Sequence, residues 1–301
     1  MQILYASNEI NQLKDQEQFL NTSYDKLYEL YLLIISLLIH LHKKAENYHD
    51  LVQQKHLATE EEKNPSKKFI SNELLLHLVN NTNITELIEK RKIKNWDIDS
   101  EYVDLIFKEL RSNKTYQEYL ANEKQSFHQD REVLATFFKD VIAVNEKLYE
   151  YLEDKEITWI DDFPVVNTTL LKQIRKAKEG LSGNFFLPEL FRDEQDEKFG
   201  YQILKETFSN EENLVNIIAE NTKNWDQDRI TPVDKVLLKM AICELLYFPT
   251  VPVKVTINEY LEIAKEYSTP KSSVFINGIL DKLVKEYTNN GTLNKSGRGL
   301  L

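Results

Sequence analysis

Apolar residues recur at helical spacing along most of the chain, and no segment shows the two-residue alternation of a strand. The pattern predicts a long helix that begins at Asn21–Ser23 and ends near Gln54, and another over Arg131–Tyr151. The longest apolar run, Tyr31–Leu41, lies in the first of these. It is far shorter than the ~20 residues that a membrane helix needs, so it predicts a buried core helix and no membrane partner.

Two interruptions divide this pattern. Thr158–Thr169 contains a proline and two acids and predicts a break between helices, and Gly180–Leu190 contains two of the seven glycines and a proline. The second interruption predicts a domain boundary. We therefore expect an enlarged helical N-terminal domain over 1–185, a helical bundle over 186–289 and a flexible tail over 290–301.

The last third has clear signals for helix starts. Thr231-Pro232 with Asp234, Thr256 with Glu259, and Thr269-Pro270 each combine a capping hydroxyl with a proline or an acid at the expected spacing. Short links between such helices predict a compact antiparallel bundle. Its central helix would be Pro232–Phe248, which is apolar on nearly all sides; its exception, Glu244, predicts a structural salt bridge.

The sequence offers little catalytic chemistry. It has no glycine-rich phosphate loop, and its six histidines all precede residue 129 at spacings that favour solvated side chains over metal ligands. The single cysteine, Cys243, lies in an apolar run, which favours a buried inert thiol over a nucleophile. We therefore predict no enzyme activity, no cofactor and no metal. One cysteine and no secretory signal pattern fit a cytoplasmic protein.

Charge is distributed unevenly. The net charge is −11, which argues against a protein that coats nucleic acid with its whole surface. From residue 231 onward, however, nine lysines and arginines outnumber seven aspartates and glutamates. An anionic partner would prefer this part of the chain, although ordinary variation in composition also explains the difference.

The last helix contains an interior glycine, Gly278, which costs about 1 kcal/mol relative to alanine. Two explanations stay open: close packing within the bundle, which is favoured, or the close approach of a partner. Phe275 is similarly open, since its ring could belong to the core, as the pattern favours, or could stack on a base.

Three ordered motifs resemble the NusB transcription antitermination family. They are "DKVLLKMAICELLY" (234–247), "VPVKVTINEYLEIAKEY" (251–267) and "SSVFINGILDKL" (272–283), and the opening "MQILYA" is similar to the family's first helix. The resemblance implies an all-α fold of two helical bundles, with a large helical insertion or expansion in the N-terminal domain. It also implies a transcription antitermination and termination factor that binds boxA-type ribosomal RNA leader sequence with ribosomal protein NusE in the RNA polymerase antitermination complex.

Motif positions carry the expected site residues. By this resemblance, the residues expected to bind RNA are Gln2, Tyr5, Lys271, Ser272 and Phe275. Those expected to bind a partner, or to have a structural role instead, are Asn258, Glu259, Asn277 and Gly278.

Two departures from the family pattern keep other functions open. No basic residue precedes Lys14, where the family carries an arginine-rich arm, which suggests a recorded start downstream of the true one or weak RNA binding. The acidic segment at roughly 45–185 has no family motif. The main alternative is a protein–protein adaptor of NusB fold that has lost RNA binding. An RNA methyltransferase would need a glycine-rich loop, and a structural homodimer would use the long amphipathic helices.

Overall fold

The computed structural model describes residues 1–6, 13–53, 66–122, 124–191, 193–223 and 230–296. Within these ranges the chain forms helices, turns and bends, and no strand. The predicted all-α fold is confirmed. Buried apolar side chains form two separate hydrophobic cores, one from residues between Leu30 and Phe186 and the other from Leu4 with residues between Ile203 and Tyr287.

The first core is built by helices from the middle of the sequence. Its long helix is apolar on every side over 30–39, where the side chains are almost fully buried. Trp96 and Trp159 bury their rings in the same core, and their indole N–H groups donate to the backbone carbonyls of Leu33 and Lys26. The helices are α2 (Leu13–Gln53), α3 (Glu73–Val79), α4 (Thr82–Lys90), α5 (Asn95–Ile98), α6 (Ser100–Ser112), α7 (Lys114–Ala121), α8 (Phe127–Phe137), α9 (Glu146–Lys155) and α10 (Trp159–Lys176).

The second core is built mainly by the end of the chain. Its central helix, α13 (Pro232–Tyr247), has apolar side chains that are nearly all buried and packs against its neighbours on several sides. The short helix α1 (Gln2–Ala6) contributes Leu4 to this core. The helices are α1 (Gln2–Ala6), α11 (Glu194–Ser209), α12 (Glu211–Asn221), α13 (Pro232–Tyr247), α14 (Val253–Tyr267) and α15 (Ser272–Asn289).

Two predicted helix boundaries are wrong. Helix α2 begins at Leu13 rather than at Asn21–Ser23. Thr22 lies inside the helix, where its hydroxyl donates to the carbonyl of Gln18 one turn earlier instead of capping a new helix. The helix predicted over Arg131–Tyr151 is divided between α8 and α9, with a π-helical turn over Phe138–Ile142 between them.

The predicted break at Thr158–Thr169 is also wrong, because this segment is helical in α10 with Pro164 inside the helix. Trp159, Phe163 and Val166 on one face of the segment are buried in the first core. Burial of these side chains outweighs the backbone hydrogen bond that Pro164 cannot make.

By their internal contacts, residues 1–22 with 191–301 form one unit, and residues 23–190 form the other. The change between units at Leu190 lies at the end of the predicted boundary segment Gly180–Leu190. The predicted domains, 1–185 and 186–289, stay a prediction as folding units.

The described part of the predicted tail contacts its own unit. The backbone N–H of Ser296 donates to the carbonyl of Pro249 at 2.9 Å, and the Lys295 ammonium donates to the carbonyls of Glu244 and Phe248 at the end of α13. The Lys295 ammonium is a second donor to two carbonyls at the end of α13, which also accept from the backbone N–H groups of Phe248 and Val251. Residues 297–301 lie outside the described residues.

Among the helices of the described ranges, none combines the length and apolar character required to cross a membrane.

Candidate nucleic-acid interface

The start of α13 is fixed by reciprocal hydrogen bonds. The Thr231 hydroxyl accepts from the backbone N–H of Asp234 at 3.1 Å, and the Asp234 carboxylate accepts from the backbone N–H of Thr231 at 3.2 Å. Pro232 occupies the first helical position. This capping arrangement confirms the prediction from the Thr-Pro-Val-Asp sequence.

The same carboxylate joins three helix ends. Ser268, just after α14, donates to Asp234 Oδ1 at 2.7 Å, and Ser272, at the start of α15, donates to Oδ2 at 3.0 Å. Asp234 and Ser272 are each 2 % exposed. Because a buried carboxylate needs its hydrogen bonds, this network fixes α15 relative to α13. Its long-range part was missed, since capping spacing reveals Thr231 and Asp234 but not a serine more than 30 residues away.

A second buried carboxylate lies at the middle of this unit. Glu244 accepts from the hydroxyls of Thr256 at 2.6 Å and Tyr260 at 3.2 Å. Burial is the main cause of a raised pKa for Glu244, and the two hydroxyls oppose it. The predicted salt bridge of Glu244 is wrong, since no ion pair of its carboxylate occurs among the described residues. Two hydroxyls bond the carboxylate, and the positive charge of Lys295 acts on it without direct contact and also opposes the rise in its pKa.

Two of the predicted helix starts in this unit are therefore misplaced. Helix α14 begins at Val253, one turn before the predicted cap at Thr256, and the Thr256 side chain points to Glu244 instead. Helix α15 begins at Ser272 rather than after Thr269, whose hydroxyl instead contacts that of Ser272 at 2.8 Å. In both cases a hydroxyl that could cap locally takes part in a buried network.

Helix α15 has two distinct faces. Its inner face consists of the buried residues Ser272, Phe275, Ile276, Ile279, Leu280, Leu283 and Tyr287. Its outer face is exposed and follows helical spacing; it consists of Lys271, Val274, Gly278, Asp281, Lys282 and Lys285. Val274 is an apolar member of this face and is 74 % exposed.

The structure separates the predicted site residues of α15 between these faces. Phe275 is only 8 % exposed and belongs to the second core, so its ring is not available for stacking in this conformation. Ser272 is buried, and its hydroxyl donates to Asp234. Lys271 and Gly278 are exposed, and a Cβ added at Gly278 would meet no atom within 4 Å. Packing inside the chain therefore does not require glycine at 278.

The other predicted residues lie on three helices. Asn258 and Glu259 are exposed on α14, which packs against α15. Asn277 is partly exposed and donates to the Asp281 carboxylate at 3.1 Å. Gln2 and Tyr5 are exposed on α1, which contacts α13. Sequence motifs thus select several solvent-facing residues of this unit, on three helices, together with the buried Ser272 and Phe275.

Two exposed lysines lie at the end of the bundle where α13 and α15 begin. Lys235 follows Asp234 in sequence, and Lys271 precedes Ser272, whose hydroxyl donates to Asp234. Neither lysine has an ion pair among the described residues.

Cys243 is buried, as predicted, and burial raises the pKa of its thiol to about 12. In the described ranges no group of three or more histidine, cysteine, aspartate or glutamate side chains is placed to hold a metal.

Comparison with known proteins shows which family the chain is similar to. The NusB family model matches residues 168–285. The chain is 42% identical over 112 residues to transcription antitermination protein NusB of Salinibacter ruber, an alignment that covers 37% of this chain and 70% of that relative. The chain belongs to the NusB family.

Two further relatives bear the same name. The NusB of Chloroherpeton thalassium is 42% identical over 130 residues, which is 43% of this chain and 62% of the relative. The NusB of Finegoldia magna is 43% identical over 97 residues, 32% of this chain and 71% of the relative. The chain therefore spans less than two thirds of the first of these two proteins.

Among solved structures, T. maritima NusB matches with 26% identity, covering 50% of this chain and 92% of the other, at a TM-score of 0.31. The NusB family resemblance expected from the motifs is confirmed by the family model and the relatives. The residues from 23 to 167 lie outside the family match and form most of the unit with the first core.

Proposed function

We propose that this protein is a transcription antitermination factor that binds boxA-type ribosomal RNA leader sequence together with ribosomal protein NusE, in the RNA polymerase antitermination complex. The proposal assigns it a cytoplasmic, non-catalytic role that depends on joint binding. Each contact is modest, and simultaneous attachment to RNA and NusE raises the effective concentration of each for the other. NusB relatives named for transcription antitermination support this function.

The observation that carries the proposal is the open position at Gly278. A glycine inside a helix is costly, and here no neighbour within the chain needs the space. Close approach by a partner's backbone explains it better than packing. The exposed Val274 and Lys271 on the same outer face offer that partner an apolar contact and a charge.

Fluorescence anisotropy of a labelled boxA-type RNA tests the proposal. The chain is titrated into the RNA with and without NusE, and we expect tighter binding when NusE is present. Lys271→Gln should weaken the ternary complex by about 5- to 10-fold, because one phosphate contact is lost.

Lys285→Gln is the matched control. Lys285 lies on the same outer face, about 21 Å further along α15, and its substitution removes the same charge. Equal losses of RNA affinity in the two variants would mean that the effect comes from net charge alone, and would contradict a local contact at Lys271. Absence of RNA binding with and without NusE would reject the RNA part of the proposal.

A protein–protein adaptor without RNA binding is the second candidate, because two predicted RNA contacts point inward. Phe275 packs in the core and the Ser272 hydroxyl donates to Asp234. The net charge of −11 agrees with this alternative. Capture of NusE by the chain, with no change in RNA anisotropy, would favour it.

A further inference from the structure

A small cavity outside the family-matched region combines aromatic walls with an exposed arginine. It measures about 230 Å³ and lies among α2, the turn that precedes α3, α6 and α7. Its lining includes Tyr48, His49, Phe69, Phe107, Arg111 and Tyr116.

The walls of the cavity are held by aromatic contacts. The Tyr48 and Phe107 rings meet edge to face with their centres 5.7 Å apart. The Phe69 and Tyr116 rings meet in the same way with their centres 5.2 Å apart. Phe69, Phe107 and Tyr116 are buried in the first core, which limits their movement. A planar apolar group fits such walls, because rings offer both faces and edges for contact.

Arg111 supplies the charge. Its guanidinium carbon lies 3.9 Å from the centre of the Tyr48 ring, which orients the planar group. Arg111 is exposed as well as part of the lining, so it lies where the cavity meets solvent. Among the described residues it has no carboxylate partner, so its N–H groups remain available for one.

His49 provides an independent sign of a missing polar contact. Its side chain is 6 % exposed, and its Nε2 atom is buried without a hydrogen-bond partner in the described structure. Its other ring nitrogen lies 3.5 Å from a carboxylate oxygen of Asp50. A buried ring nitrogen without a partner is unfavourable, and a polar group entering beside it would relieve that cost.

We propose that this cavity is a binding site for a small aromatic carboxylate. The ring would lie between the aromatic walls, and the carboxylate would accept hydrogen bonds from Arg111 in the paired geometry that guanidinium groups favour. A single ring suits the size, since cavities for drug-sized ligands begin at about 300 Å³. An inorganic phosphate fits less well, because the apolar walls cannot satisfy its additional oxygens.

Benzoate is the test ligand, and the full chain is titrated by calorimetry. Benzamide has the same ring without the charge, and phosphate has charge without the ring. We expect saturable one-to-one binding of benzoate, with benzamide and phosphate each at least about 10-fold weaker. Equal affinity for benzamide, equal affinity for phosphate, or no benzoate binding at millimolar concentration would overturn the proposal.

Substitutions locate the site. Arg111→Gln should weaken benzoate binding by about 10-fold or more, whereas Arg175→Gln, which removes an exposed arginine of α10, should not. Thermal unfolding of both variants checks that they fold. An unchanged affinity in folded Arg111→Gln would contradict the assignment.

Nuclear magnetic resonance of ¹⁵N-labelled histidine gives a readout on the unsubstituted chain. The His49 ring signals, assigned by their loss in His49→Gln, should shift on benzoate addition. The signals of His128, whose side chain is not part of the lining, should stay in place. Benzoate binding without a His49 shift would place the ligand elsewhere and reject this site.

Discussion

At Gly278, nothing in the described part of the chain explains the absence of a side chain. Its surroundings are open and it has ordinary helical geometry, so alanine is tolerated sterically. We expect Gly278→Ala to raise the free energy of unfolding by about 0.5–1 kcal/mol in urea titrations, because alanine is the better helix former.

The same substitution should weaken NusE or RNA binding if a partner backbone approaches here. Asn289→Ala, in the last turn of α15, is a control for a helix-forming substitution away from the outer-face glycine. A loss of stability in Gly278→Ala would show that the helix needs glycine for its own packing.

Thr256 tests the buried carboxylate of Glu244. Thr256→Val keeps the shape but removes the hydroxyl that donates to Glu244 at 2.6 Å. We expect a loss of about 2 kcal/mol in the free energy of unfolding at pH 7.5, because a buried charged acceptor loses a partner. Thr250→Val, at an exposed turn, should change stability little.

The pH dependence of this loss follows from the raised pKa of Glu244. Because the pKa of Glu244 is higher in the folded state than in the unfolded state, protonation of this carboxyl favours folding. Its contribution to the free energy of unfolding therefore falls as pH rises through the folded-state pKa. Removing the Thr256 hydroxyl raises that pKa further. The loss should therefore be smaller at pH 5 than at pH 7.5, and an equal loss at both values would contradict a charged Glu244.

At the residue scale, the sequence predicts burial better than it predicts partners. The inward position of Phe275 and the burial of Cys243 follow from helical periodicity. The bonds of Glu244, and those of Asp234 to Ser268 and Ser272, do not, because they depend on which side chains other helices bring near. The open space at Gly278 is likewise a property of the packed bundle rather than of the motif.

At the scale of the element, helix α10 places an acid where burial and neighbouring negative charges both disfavour its ionised form. Asp162, in its first turn, has a pKa raised to about 6 by burial and by the charges of Asp161 and Glu156. A helix N-terminus favours negative charge, but here desolvation and repulsion outweigh that effect. The charged form therefore destabilises the folded helix above about pH 6.

Asp162→Asn should stabilise the protein at neutral pH. We expect a gain of about 1 kcal/mol at pH 7.5, reduced from the full pKa shift because the group is partly exposed. The gain should shrink at pH 5, where the folded-state carboxyl is mostly protonated. Urea unfolding followed by tryptophan fluorescence measures it, with Asp154→Asn as the exposed control. A gain that grows at pH 5 would contradict the raised pKa.

Elements with strong local signals are predicted well, whereas breaks decided by distant contacts are not. Helix α13 has both a capping sequence and an apolar face, and its observed start agrees with the prediction. The start of α9 depends on Asn145, whose side chain caps Leu148 and also donates to Glu109 at 2.8 Å. The helical course through Pro164 depends on burial of the neighbouring aromatic rings. The cap on Leu148 is a local signal, but the bond to Glu109 and the burial around Pro164 cannot be seen in local sequence.

At the scale of the whole molecule, two cores carry different amounts of family information. The family match covers most of the second core and little of the first. The proposed RNA contacts and the proposed carboxylate site therefore lie in different units. Arg111→Gln should leave RNA and NusE binding unchanged, and Lys271→Gln should leave benzoate affinity unchanged; crossed effects would require the two functions to be coupled.

Salt dependence is the whole-molecule test of RNA binding, since it reports how many of the chain's lysines and arginines contact phosphate. Lys235 and Lys271 are the exposed lysines beside the bond between Asp234 and Ser272. Two phosphate contacts with single-stranded RNA predict a slope of about −1.4 in a plot of log affinity against log salt, and Lys271→Gln should reduce it to about −0.7. A slope steeper than about −4 would mean that RNA contacts many more cations than this end of the bundle presents. A slope near zero would remove phosphate contacts altogether and favour the adaptor that binds protein alone.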